Sequence, residues 1–113
     1  MSGYFVLKRA AGSQFMFNLK AGNHEVILTS ETYASRQGAT NGIESVRAAA
    51  LADASFVRKT ASNGQSYFVI LAGNRQTIGK SEFYTSTAAM EKGIRSVRNN
   101  APSATIKDLT GEA

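Results

Sequence analysis

Apolar and polar positions change rhythm twice within the first half of the chain, and the second half repeats the change. Phe15, Phe17 and Leu19 alternate with Met16, Asn18 and Lys20, the two-residue period of a half-buried strand. Gly22-Asn23 follows at a place where a tight hairpin turn needs positive φ, and Val26-Ile27-Leu28 reads as the next strand. Ser62-Asn63-Gly64 is a second hairpin signal, matched less cleanly by Ala11-Gly12-Ser13. The period then becomes helical: Ala39, Ile43, Val46 and Ala50 recur at that spacing, as do Met90, Ile94, Val97 and Ala101. Ser35 and Ser86 precede these runs as N-caps. Gly42 and Gly93 fall mid-helix on the apolar stripe, where glycine costs about 1 kcal/mol relative to alanine. Two helices that both carry this cost predict close approach of each to a sheet. Pro102 ends the second helix and Thr105-Ile106-Lys107 forms a last short strand. The predicted order is βββα, βββα, β, with residues 110–113 frayed.

The two halves are copies. At an offset of about 51 residues the chain matches itself without a gap and with roughly twenty identities. Ala21-Gly22-Asn23 returns as Ala72-Gly73-Asn74, and Ser30-Glu31-Thr32-Tyr33-Ala34-Ser35 as Ser81-Glu82-Phe83-Tyr84-Thr85-Ser86. Gly42-Ile43-Glu44-Ser45-Val46-Arg47 returns as Gly93-Ile94-Arg95-Ser96-Val97-Arg98. Copy one spans about residues 3–53 and copy two about 54–109. A unit of some fifty residues covers too little of its own apolar face to fold alone. Two copies related by a pseudo-twofold axis can cover each other, with the strand Phe56–Lys59 tying them together. The expected architecture is one α+β domain over residues 1–113, monomeric because the duplication supplies the contact internally.

These three blocks, repeated in tandem over nearly the whole chain, resemble the YegP-like family of small bacterial proteins. The resemblance implies tandem βββα(β) units forming one intertwined, barrel-like antiparallel sheet with two helices packed on it. It also implies C-terminal strands exchanged between units, and homodimers among single-unit relatives. It carries no established activity. His24 departs from the internal pattern, because the second copy has Arg75 there.

Composition narrows the chemistry. With no cysteine, disulfides, thiolate nucleophiles and cysteine-based metal sites are excluded. The start, Met1-Ser2-Gly3-Tyr4-Phe5-Val6-Leu7-Lys8, reads as neither signal peptide nor spanning segment, so a cytoplasmic protein with no membrane partner is expected. The formal net charge is +5, with five Lys/Arg against four acids up to residue 56 and eight against four beyond it. An excess of this size permits an anionic partner and also serves simple solubility.

No catalytic constellation emerges. His24 is the single histidine, at the edge of a turn. Glu31 and Glu82 are the best placed carboxylates, duplicated just before the helices, where the helix dipole already favours them. Ser45 and Ser96 sit inside helices, and one histidine cannot activate both. Arg47 and Arg98 can clamp an anion or simply complement helix C-termini. Tyr33 and Tyr84 are read as core aromatics, and no phosphate-cradling loop or nucleotide fingerprint is present. No cofactor and no metal are expected. The copies differ most on one strand face, where Met16, Asn18 and Lys20 become Tyr67, Val69 and Leu71, either extra core or an apolar strip for a partner. The leading expectation is a non-enzymatic binding or structural module with a protein or nucleic-acid partner. The alternative is an RNA- or DNA-binding protein using strand aromatics with Arg58, Lys59, Arg75, Lys80 and Arg95.

Overall fold

The computed structural model describes residues 3–111. Its strands and helices are β1 (Tyr4–Ala10), β2 (Gln14–Lys20), β3 (Val26–Ser30), α1 (Arg36–Ala49), β4 (Phe56–Thr60), β5 (Ser66–Leu71), β6 (Thr77–Lys80), α2 (Thr87–Asn100) and β7 (Thr105–Asp108). This is the α+β order that the duplicated pattern predicts.

Three hairpin turns share one construction. In Ala21–His24, Ala61–Gly64 and Ala72–Arg75 the fourth amide donates to the first carbonyl at 2.9 Å. Asn23, Asn63 and Asn74 each accept the amide two residues on, at 3.1, 3.0 and 3.1 Å. The left-handed residue is the one after each asparagine: His24 (φ 71°), Gly64 (φ 85°) and Arg75 (φ 71°). Positive φ was expected at Gly22-Asn23, one step too early. A turn closed this way puts the left-handed bulge at its fourth position, and the asparagine side chain is occupied in closing it. Ala11–Ser13 is different, a single 3-10 turn with Gly12 and Ser13 both left-handed.

The strands form one seven-stranded sheet in the order β4-β5-β6-β3-β2-β1-β7. The copies join in its middle, where β3 and β6 pair antiparallel through Thr29↔Lys80 and Ser30↔Gly79. Phe56–Lys59, expected to tie the copies, is instead an outer strand paired to β5. The sheet departs from a wholly antiparallel one at a single pair. β7 runs parallel to β1, and the pairing is linear from β4 to β7. The reason is occupancy: β1 already fills the place beside β2, so the strand arriving from α2 adds outside it.

Alternation along paired strands puts Phe17, Leu19, Leu28, Ile70, Phe68 and Phe56 on one face, and all are buried. Both helices lie on that face. Ser35 and Ser86 cap them, each accepting an amide three residues on. Each helix also spans the junction, α1 touching β1 and β2 of its own copy and β5 and β6 of the other, and α2 touching β5 and β3.

Gly42 and Gly93 explain how closely the helices lie. Tyr33 bridges to β2 through reciprocal backbone bonds with Phe15, and Tyr84 does the same with Ser66. Their rings stack on Phe17 and Phe68 at interplanar angles of 13° and 12°. The hydroxyl end of each then points at the bare glycine backbone. A Cβ on Gly42 would stand 2.3 Å from Tyr33 Oη, and one on Gly93 2.2 Å from Tyr84 Oη.

The C-terminal strand is latched. Asp108 accepts from Thr110 Oγ1 at 2.7 Å, from the Thr110 amide at 2.9 Å and from Arg36 Nε at 2.9 Å. Arg9 Nε donates to the Thr110 carbonyl, and the Leu109 amide to the Leu7 carbonyl. Thr110, expected to be frayed, is buried by these bonds, while residues 112 and 113 lie outside the described residues.

Two outcomes follow. Gly42→Ala and Gly93→Ala should each destabilise, because overpacking of about 1–3 kcal/mol exceeds the helix-propensity gain of about 1 kcal/mol. Thermal melts of the two variants check this, with a lowered midpoint expected in both. The bonds from Thr110, then Arg36, pull the Asp108 carboxyl down from 3.8 to about 2. A depressed folded-state value means the stabilisation is full above about pH 4 and lost as pH falls through about 2. The protection of the Leu109 amide, taken relative to intrinsic exchange at each pH, should therefore fall across that window, and in Asp108→Ala it should already be low at neutral pH.

Candidate functional site

With both helices on one side, no element covers the opposite face of the sheet among the described residues. Strand register builds a continuous row across it: Val57, Val69, Lys80, Thr29, Asn18, Val6 and Lys107, one residue from each strand. Val6, Asn18 and Val69 are nearly covered by their neighbours, and Asn18 Nδ2 donates to Thr29 Oγ1 at 3.0 Å. Tyr67 and Leu71 are half-buried on this face. The diverged strip of Tyr67, Val69 and Leu71 is thus neither core nor free patch: its middle is covered and its ends look outward.

The charges divide by type. Of the six lysines in the chain, Lys8, Lys20, Lys59, Lys80 and Lys107 stand at open-face positions of the strands. The arginines mostly serve as tethers on the helical side. Arg58 reaches from β4 to Glu91 of α2 at 2.8 Å and to Asp53 at 3.0 Å. Those bonds hold Arg58 more firmly protonated than usual and lower both carboxyls. Arg47 bonds Glu44 and the Ala104 carbonyl, and its guanidinium lies over Phe5. Arg98 lies 3.8 Å from Asp53 and, with Arg95, lines a cavity of about 260 Å³ beside the exposed Leu51. Arg75 is at the exposed tip of its turn.

The basic residues named from sequence therefore do not form one patch. Lys59 and Lys80 share the open face, whereas Arg58, Arg47, Arg95 and Arg98 belong to the other side. The matching of Arg47 to Arg98 does not make a symmetric anion clamp, because each has its own partners. Lys8, Lys20 and Lys107 were missed as site residues. Strand alternation gives Lys8 and Lys20 the parity of the open face, but only the neighbour order shows that β7 brings Lys107 beside them.

At the pseudo-twofold axis the open face has a cavity of about 290 Å³ lined by Thr29, Ser30, Glu31, Lys80, Ser81, Glu82 and Phe83. Ser30 and Ser81 take no free part in it. Each hydroxyl accepts a strand amide (Phe17 or Phe68) and donates to the next carbonyl (Glu31 or Glu82). Tyr67 and Phe83 meet edge to face at 5.4 Å, and the Lys80 ammonium sits 5.1 Å from both ring centroids. Glu31 and Glu82, the best placed carboxylates of the sequence, line this cavity just past the ends of β3 and β6. His24 is exposed and its Nδ1 is 2.8 Å from the Tyr4 hydroxyl. Ser96 Oγ accepts from the Asn100 side chain at 3.2 Å.

Fold and site together define a tandem-duplicated α+β protein with one face under helices and one face open. The family described as "Domain of unknown function (DUF1508)" matches it twice, over residues 10–55 and 61–108. A UPF0339 protein of Bordetella pertussis is 56% identical over 110 residues, covering 97% of this chain and 98% of that protein. The UPF0339 protein YegP of Escherichia coli O157:H7 is 48% identical over 110 residues, with 97% and 100% covered. The solution NMR structure of a UPF0339 protein from Shewanella oneidensis matches with a TM-score of 0.93 at 50% identity, covering 99% of this chain and 95% of that one. That of YegP from E. coli also gives 0.93, at 47% identity and 100% and 97% coverage. This chain belongs to that family, the DUF1508-containing UPF0339 proteins. The descriptions of these relatives indicate no specific function, so any reading of function rests on the site. No helix among the described residues is long and apolar enough to cross a membrane.

Proposed function

We propose that this protein is a non-catalytic, monomeric, cytoplasmic binding module whose open sheet face holds single-stranded nucleic acid. One observation carries the reading: five of the six lysines stand on that face, while arginines are drawn into tethers on the other. Lysine is a compact, flexible point charge, suited to phosphates along a chain without fixing its sequence. Tyr4, Tyr67 and Phe83 add aromatic rings at the same level, and a basic sheet with rings for bases is the usual arrangement for single strands. The carboxyls of Asp53, Glu91 and Asp108 are each lowered by donors or cations, which suits tethers and not proton donors.

Fluorescence anisotropy with a labelled single-stranded oligonucleotide tests this. Each lysine that neutralises a phosphate contributes about −0.7 to the slope of log K against log salt, so a slope of about −2 to −3 is expected. Lys59→Ala with Lys107→Ala should weaken binding and reduce that slope by about 1.4. Binding that ignores salt, or none at 50 mM salt, would overturn the reading. Sedimentation should give a monomer, free or bound.

A further inference from the structure

The two halves of the open face are not alike. Tyr67, Lys80 and Phe83 of the second copy stand where the first has Met16, Thr29 and Thr32. Only the second half therefore presents rings beside the axial cavity, and Phe83 is 49% exposed although it is large and apolar. A ring left open next to a cavity, with a cation drawn to its face, is a stacking platform.

The polar groups of the cavity narrow what can stack there. Ser30 and Ser81 have both donor and acceptor engaged, and Thr29 Oγ1 already accepts from Asn18. What remains is two donors, the Lys80 ammonium and the Thr29 hydroxyl proton, and the carboxylates of Glu31 and Glu82, which when ionised only accept. The planar group that meets such a set along one edge has an acceptor next to two N–H donors. Guanine has that edge: O6 faces the ammonium, while N1–H and the N2 amino group meet one carboxylate side by side. Thymine and uracil have a single N–H between two carbonyls, and a carbonyl would face the carboxylate unpaired.

We infer that the axial cavity is a single-base subsite selective for guanine, with the base on Phe83, O6 toward Lys80, and N1–H and N2–H toward Glu31 or Glu82. This rests on the nucleic-acid reading for its surroundings but makes a separate claim. The two glutamates oppose phosphates and favour one base, so they lower general affinity while adding selectivity. The shared ligand chemistry is the guanine base, whether within a strand or as a free nucleotide.

The full chain would be titrated with an oligothymidylate, with the same oligomer carrying one central guanine, and with one carrying inosine, which lacks the N2 amino group. A bidentate base contact implies at least about fivefold tighter binding of the guanine oligomer, with inosine between the two. Glu31→Gln with Glu82→Gln should bring guanine to the thymine level while leaving oligothymidylate binding at least as tight, whereas Phe83→Ala should weaken both oligomers and also abolish the guanine preference. These side chains are exposed, so the variants should keep the wild-type melt. Equal, salt-dependent affinity for all three oligomers would overturn the subsite and leave the nucleic-acid reading intact. NMR shifts at Phe83 and Lys80 on adding guanosine monophosphate, with no oligomer bound, would support the subsite and overturn the strand reading. No response to either ligand would overturn both.

Discussion

The distance between helix and sheet is set by two tyrosine rings, each trapped between a phenylalanine and a glycine. Tyr33 lies on Phe17 with its hydroxyl against Gly42, and Tyr84 repeats this with Phe68 and Gly93. The ring is also held by its backbone, bridged to the strand on which its stacking partner sits. A side chain fixed at both ends leaves the helix one depth at which it can lie, and only a residue without Cβ fits there. Glycine in mid-helix costs about 1 kcal/mol, and burying an aromatic body against backbone returns more than that. Both helices are thereby committed to the same side of the sheet. The other side is left open by the same commitment.

Where the copies meet, identical residues would collide. Leu28 and Gly79 occupy matching positions, and a Cβ on Gly79 would stand 2.9 Å from the Leu28 side chain. One leucine fills the axial core and two would overfill it. A homodimer of identical units has to solve this with one residue type, whereas a fused chain can place a large residue on one side and none on the other. The strand edge nearby is repaired more symmetrically. Ser30 and Ser81 each substitute a hydroxyl for the missing ladder acceptor, so the amides of Phe17 and Phe68 stay paired in the core.

Much of this was legible in the chain itself. The copies, the helices, their caps and the close approach at Gly42 and Gly93 follow from periodicity and self-comparison, because these are local signals repeated twice. The left-handed residues were displaced by one position. His24 and Arg75 lack the usual residue type for that conformation, and the asparagine before each drew attention to itself. The parallel placement of β7 was not legible either, since it depends on β1 already occupying the slot. The open face needed the same non-local information. Lys8, Lys20, Lys59, Lys80 and Lys107 are scattered in sequence, and they become one surface only once the strand order is known.

The open face also shows what duplication makes possible. Thr29 and Lys80 are matching residues of the two copies, and they pair directly across the junction. In a symmetric dimer that pair would be two threonines or two lysines. Like charges directly opposite on a sheet are destabilising, so a central ammonium is hard to keep there when it must appear twice. Fusion permits one. With threonine opposite, Lys80 is free to lean to its own side, over Tyr67 and Phe83, and the threonine hydroxyl is free to pair with Asn18. A single substitution at the axis thus separates the two sides of the axial cavity chemically: a hydrogen-bonded side at Thr29 and a side with a cation and two aromatic rings at Lys80. Away from the axial pair Leu28 and Gly79, the core keeps its symmetry because both copies need the same tyrosine–glycine contact. The face opposite has no such contact to preserve, and it is there that the copies have diverged.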